Sequence, residues 1–316
     1  MHHRAHVTRR GALAVLGAAL PFGMPAIVRA QSRTIRLGTG TSESFMAPFF
    51  ARELGLFTKA GLDVDVLALP VLSTALPAVA GGSLDITASD PVQVANAVAR
   101  GIPFRLFAGG ALYDANHPTI VLCVSEDGAA RGAADLAGKS IGVVSLDGLP
   151  TVSVKEWMRQ QGSDPAGVKF VEMSFATVPA ALARGTIAAG VVGEPFLSQA
   201  RGVRRLAQTF TAIGRSFYFN CWFAKKEWLD ANADTARKLA GALYEAGRWA
   251  NAHHDESAAI VSRISKIEAE KVRGMARSLY PYSLEAKLIE PVLDVGLRWG
   301  AIAQAAHAAD IMWRPA

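Results

Sequence analysis

Three short stretches of this 316-residue chain carry the side chains and backbone amides that could grip a small solute. They are Gly40-Thr41-Ser42-Glu43-Ser44-Phe45, Ser89-Asp90-Pro91 and Ser145-Leu146-Asp147-Gly148-Leu149-Pro150-Thr151. Each follows an apolar run and places a hydroxyl or an Asp at the start of a helical pattern, and Pro91 suits the first helical position. Free N–H groups and the positive end of the helix dipole favour an oxyanion there. Ordinary N-capping uses the same residues, so a binding site is expected only if all three loops converge on one cleft. The acidic residues Glu43, Asp90, Asp147 and Glu194 fall near the same expected cleft. Uncompensated carboxylates repel a simple anion and resist desolvation, so a solute with an amine, an amidine-like ring or several hydroxyls fits better. Phe45, Tyr218 and Trp222 are the aromatics expected against an apolar or ring portion, with Asn220 as a polar contact. The expected ligand-binding set is therefore Ser42, Glu43, Phe45, Ser89, Asp90, Ser145, Asp147, Glu194, Tyr218, Asn220 and Trp222.

Catalytic patterns are missing from the sequence. Gly38-Thr39-Gly40-Thr41-Ser42-Glu43 lacks the third Gly of a dinucleotide fingerprint, and neither Gly-x-Ser-x-Gly nor His-Glu-x-x-His occurs. His253 and His254 are adjacent on a helical pattern, about 100° apart around the axis, so a shared metal is not expected. Cys123 and Cys221 lie in apolar strand-like runs and are expected as buried free thiols, a bond between them requiring strands side by side. No catalytic residue, metal or cofactor is expected.

The elements that must hold these loops alternate in type. Strands are expected at Ile35–Gly38, Val64–Leu69, Asp85–Ala88 and Phe104–Ala108, with helices at Met46–Leu54, Ser73–Ala80 and Pro91–Arg100 between them. The rhythm restarts after Lys139: strands at Ser140–Val144, Lys169–Val171 and Ala188–Val192 alternate with helices at Thr151–Gln161 and Val178–Arg184. Strand–helix alternation with short Gly-punctuated loops means parallel sheet covered by helices, an α/β protein. From Lys226 onward the pattern is helical: Lys226–His254, Ser257–Ile264, Glu268–Ser278 and Leu284–Trp299. Crossover strands near Thr119–Val124 and Phe217–Ala224 would join two lobes, residues 31–123 plus 217–316 and residues 124–216, with the helical tail packed on the first.

The first thirty residues read as an export leader. Thr8-Arg9-Arg10-Gly11, an apolar run from Ala12 to Leu20 and a small-residue exit at Val28-Arg29-Ala30 predict cleavage near Ala30. The paired Arg9-Arg10 resembles the twin-arginine pattern, with general secretion as the other route. The apolar run ends at Pro21, short of the roughly 20 residues that span a bilayer. Four of the 33 basic residues and none of the 27 acidic ones lie in this leader, leaving 29 against 27, or +2. Nothing in that balance suggests a nucleic-acid partner; Arg201, Arg204 and Arg205, the densest basic spot, read as a solvated loop.

Phe49 to Val64, with the helix exit Gly55-Leu56-Phe57 and the passage Ala60-Gly61-Leu62, resembles the periplasmic substrate-binding proteins of ABC importers. The similar branch is the one that takes alkanesulfonates, taurine, nitrate and thiamine-pyrimidine precursors. Leu76 to Asp85 and the turn Asp135-Leu136-Ala137-Gly138-Lys139 agree with it. Ala188, where an Asp is usual, and Gly193, where an aromatic is common, depart from it. The resemblance implies a type II periplasmic-binding-protein-like fold of two α/β lobes joined by two crossover strands. It also implies a periplasmic monomer that captures a small-molecule ligand by lobe closure and passes it to an inner-membrane ABC permease. A thiamine-pyrimidine-precursor synthase resembles the same proteins, but its Cys-rich motif has no counterpart here. A ligand-sensing partner of a membrane receptor is the other alternative.

Overall fold

The computed structural model describes residues 34–69 and 72–315, so the expected leader at 1–30 lies outside the described residues. The first sheet begins with β1 (Ile35–Thr39), flanked in parallel by β2 (Val64–Ala68) and β3 (Ile86–Ser89). Helices α1 (Ala47–Glu53), α2 (Leu56–Lys59) and α3 (Ala75–Ala80) fill the crossovers, and α4 (Pro91–Ala99) leads on to β4 (Phe104–Asp114). β3 is buried throughout and β1 nearly so, as apolar parallel strands covered on both faces must be. The second sheet comprises β5 (Ile120–Ser125), β6 (Ser140–Val143), β7 (Lys169–Glu172), β8 (Ala189–Gly193) and β9 (Val203–Ala207). Its helices are α5 (Leu149–Gln160), α6 (Val178–Ala183) and α7 (Phe196–Gln199). β10 (Ser216–Lys225) returns the chain to the first sheet, antiparallel between β3 and β4. The orders are β2-β1-β3-β10-β4 and β7-β6-β8-β5-β9. This is a two-lobed α/β fold.

The tail runs through α8 (Lys226–Ala231), α9 (Ala233–Ala252), α10 (His254–Ser265), α11 (Ala269–Gly274), α12 (Glu290–Arg298) and α13 (Ala308–Ile311). The apolar faces of α8 to α11 complete the first lobe's core around Phe50, Trp222, Leu239 and Leu243, while α12 and α13 join the larger core that runs across both sheets. Among the described residues no helix is long and apolar enough to cross a membrane.

Several boundaries differ from expectation. The division at residue 123 falls inside β5, which belongs wholly to the second sheet, so the chain changes lobe between Asp114 and Ile120. There Ala115 N–H donates to Arg215 O (2.9 Å), binding the outgoing segment to the returning one. Cys123 and Cys221 consequently sit in different sheets, both buried and free. Arg204 and Arg205 lie on the edge strand β9 rather than in a loop, and Arg204 donates to Gly128 O and Ala130 O. The long helix expected from Lys226 breaks at Asn232. The helix expected from Glu268 to Ser278 stops at Gly274 and gives way to extended chain, where Leu279 bridges to Leu112. Pro281 disfavours helix at Tyr280, and the single bridge from Leu279 to Leu112 of β4 holds the extended chain there.

One tail contact ties the lobes together. Glu156 on α5, buried, accepts hydrogen bonds from Arg159 (2.7 Å), Arg298 (2.9 Å) and Trp299 Nε1 (3.0 Å). Those bonds, Arg159's first, with further help from Gln160, hold its carboxyl down at about 2. A lowered carboxyl stabilises the fold above its unfolded value, near 4.5 here, and loses that contribution as pH falls toward 2. Both guanidiniums are about half exposed, so solvent screening trims the contribution to about 2 kcal/mol. Glu156→Gln should lower stability at pH 7 by that order and flatten its decline between pH 4.5 and 2, as read from urea unfolding curves.

Candidate functional site

The carboxyl ends of β1 and β3 in one lobe and of β6 and β8 in the other open onto a shared cleft, the position where open α/β sheets bind ligands. Its main chamber holds about 550 Å³. Gly40, Thr41, Ser42 and Leu72 line it from the first lobe, and Val144, Glu172, Phe175 and Phe196 from the second. Two smaller recesses continue inward. One, of about 40 Å³, lies among Phe45, Ser89, Asp90, Gln93, Ser145 and Phe219. The other, of about 10 Å³, lies among Ser42, Glu43, Glu194, Phe219 and Ser278. Phe175 borders all three chambers.

The three loops therefore meet. Ser42 precedes a 3-10 turn at Glu43–Phe45, and Glu43 N–H donates to Glu194 O (3.0 Å), a backbone bond between the lobes. Glu43 itself is 1% exposed and accepts from Arg277 Nε at 2.7 Å. Arg277 is fixed in turn by His254 O (2.9 Å) and Ser257 Oγ (3.0 Å). Burial pushes the Glu43 carboxyl up, and Arg277 pulls it back. Glu194, at the end of β8, accepts from Ser198 N–H and Ser198 Oγ, both at 2.9 Å. Burial raises its carboxyl too, with a smaller push from Glu43.

Asp90 caps α4, accepting from Gln93 N–H (3.0 Å) and Gln93 Nε2 (2.7 Å). Burial raises its carboxyl while Gln93, and to a lesser extent the Leu149 N–H at the start of α5, pull it down. A carboxylate of the chain thus stands at two helix N-termini where the sequence suggested room for an external oxyanion. Gly148 makes this approach possible, since a Cβ there would lie 2.7 Å from Asp90 Oδ2 and 2.4 Å from Ser145 Oγ. Gly193 does the same for Phe175, whose ring would lie 2.7 Å from an added Cβ.

Four expected residues take other places. Asp147 is exposed in the turn before α5 and lines none of these chambers. Tyr218 is core, its hydroxyl donating to Ser283 O (2.7 Å) and accepting from Glu285 N–H (3.0 Å). Trp222 is fully buried among the first lobe's helices. Asn220 is buried as well and donates to Ser44 O (3.0 Å), steadying the first loop from behind. The aromatic that reaches the cleft from β10 is Phe219, edge-on to Phe45 with centroids 6.4 Å apart. β10 shifts register against β4 between Tyr218 and Asn220 and again beyond Asn220. A one-residue shift exchanges the faces of a strand, so simple alternation misplaces these side chains.

Phe175, Arg277 and Ser278 were not legible as site residues. Phe175 lies in the loop after β7, and the other two enter from tail residues whose pattern reads as helix. His253 stacks on Trp249 with ring centroids 5.2 Å apart. Among the described residues no group of three or more His, Cys, Asp or Glu is placed to hold a metal ion.

The sequence model of one family, described as NMT1/THI5 like, matches residues 42–257. No curated protein sequence matches the chain. Among solved structures, the alkanesulfonate-binding protein SsuA of Xanthomonas axonopodis, bound to MOPS, is similar with a TM-score of 0.74 at 18% identity, over 89% of this chain and 98% of that one. The periplasmic aliphatic sulphonate binding protein SsuA of Escherichia coli gives 0.70 at 16%, over 90% and 92%. The periplasmic nitrate-binding protein NrtA of Synechocystis gives 0.71 at 17%, over 87% and 84%.

Removing Arg277 would leave Glu43 buried without its cation. Arg277→Met should cost about 3 kcal/mol at pH 7. The loss should shrink at pH 5: a carboxyl raised in the fold regains stability as pH falls toward its unfolded value, and this stability is lost again as pH rises. The titratable groups that act on Glu43 from neighbouring elements are Arg277, His254, Glu194 and Tyr280. Urea denaturation of both proteins at the two pH values checks the sign.

Proposed function

This chain belongs to the NMT1/THI5-like family, and from that premise we propose that it is the extracytoplasmic solute-binding component of an ABC importer. It captures a small organic solute between its lobes and delivers it unchanged to a membrane permease. The observation that carries this reading is the chamber of about 550 Å³ lined from both lobes, within the usual size range of small-molecule sites. Two chain segments, 115–119 and 208–215, link the sheets side by side and suit a hinge. The contacts that span the cleft, Glu43 with Glu194 and Asp90 with the start of α5, are those that closure would make and opening would break.

The residues proposed to meet the solute are Ser42, Glu43, Phe45, Ser89, Asp90, Ser145 and Glu194, joined by Phe175 and Phe219. Carboxylates, hydroxyls and rings of this kind hold and orient a solute. The thiols are remote from such work, Cys123 and Cys221 being buried within sheets, where burial raises both of them. Capture therefore accounts for the site better than catalysis does. Periplasmic location after removal of residues 1–30, action as a monomer and partnership with a permease complete the proposal. They are supported by the leader-like N-terminal sequence and by the fold shared with periplasmic binding proteins.

A thermal-shift panel of the mature chain should yield a hit that, at about 100 times its Kd, adds about 2.7 kcal/mol of stability. The hit should be recovered chemically unchanged, and small-angle scattering should show a more compact particle when it is bound. Conversion of the hit to a product would overturn capture in favour of catalysis.

A further inference from the structure

Sulphonate and nitrate, named for two of the similar proteins, are anions, and the cleft of this chain has the opposite polarity. Its three chambers are lined by Glu43, Asp90, Glu172 and Glu194, with no Lys, Arg or His lining them among the described residues. Helix N-termini, the usual substitute for basic side chains in holding an oxyanion, are in use: Asp90 already stands at the starts of α4 and α5. An anionic solute would enter without a compensating charge and beside several of its own sign.

The smallest recess adds an independent observation. Glu43 Oε2 and Ser278 Oγ are both buried and without a hydrogen-bond partner, and both residues line the recess together with Glu194. Unpartnered buried polar atoms are costly and uncommon in a native fold. An ionised carboxylate oxygen can only accept, so the group that meets Glu43 Oε2 must donate, while the Ser278 hydroxyl can either accept from that group or donate to it. The recess holds about 10 Å³, close to the least that accommodates one water-sized group. A protonated nitrogen has that size and donates several charge-assisted bonds. Arg277 bonds Glu43 through Oε1 and the Ser278 N–H also pulls on this carboxyl, while Oε2 is left without a well-formed hydrogen bond.

Resting on the capture reading above, we propose that the solute carries a protonated nitrogen, an ammonium or the NH2 end of an amidinium. This group is seated in the recess between Glu43, Glu194 and Ser278, and the solute's apolar or ring portion lies against Phe45, Phe175 and Phe219. The site thus selects cations where the similar proteins are named for anions.

Isothermal titration of the mature chain with matched probes tests this: benzylamine and benzamidine against benzenesulfonate and benzoate. The cationic probes should bind at least tenfold tighter than the anionic ones. Glu194→Gln should weaken the cations at least tenfold. Ser278→Ala, which removes one hydroxyl and leaves the Glu43–Arg277 pair in place, should weaken them severalfold without lowering the thermal midpoint. Tighter binding of benzenesulfonate or benzoate, recovered intact, would overturn the cation assignment and leave capture standing. Cation binding followed by chemical conversion would overturn capture and support the cation subsite. Cation affinity unchanged in both variants, or no binding by either class, would overturn the subsite.

Discussion

A carboxylate removed from water needs a compensating partner, and this chain brings three of them to the seam between its lobes. Glu43, Asp90 and Glu194 are each nearly fully buried, and each is compensated differently. Glu43 has the guanidinium of Arg277, Asp90 has amide donors at two helix starts, and Glu194 has the backbone and hydroxyl of Ser198. Burial works against all three charges, and the local donors work back. Buried charges are retained where partners are fixed in advance. Much of the surrounding architecture does that fixing, from the extended tail segment that delivers Arg277 to Gly148, whose lack of a side chain lets Asp90 reach α5.

The same groups couple the lobes. The backbone bond from Glu43 to Glu194, the reach of Asp90 toward Leu149 and the cluster of Arg298 and Trp299 on Glu156 each join residues of different sheets or of the tail and second lobe. The first two lie inside the cleft and the third lies where α12 packs on α5. On the proposed capture reading, a solute in the cleft would meet groups already engaged in contacts between the lobes. Differential contacts of that kind are what allow a ligand to shift an open–closed equilibrium. The acidic lining of the cleft contrasts with the anions for which the similar sulphonate- and nitrate-binding proteins are named.

Much of this was legible in the residues. The loops at 40–45, 89–91 and 145–151 follow strands and start helical segments as their Gly, Pro and hydroxyl residues indicate, and all three border the cleft. The acidic character of the site was legible as well, since Glu43, Asp90 and Glu194 stand at strand ends. The return strand was harder. Its place on the return crossover put Tyr218 and Trp222 at the cleft, but β10 shifts register against β4 there and Phe219 takes that position. The stretch 275–280 reads as helix by period, yet pairing with β4 draws it out and carries Arg277 and Ser278 into the site.

The sequence by itself determined the alternation of strand and helix, the two-lobed α/β architecture and the loops that border the cleft, because each follows from local periodicity, turn residues and short-range sterics. Tertiary structure alone decided which lobe β5 joins, which aromatic of β10 points into the cleft and which cation neutralises Glu43. The residues of that last pair are 234 positions apart, and contacts over such separations are set by how sheets and tail pack. No local pattern records them.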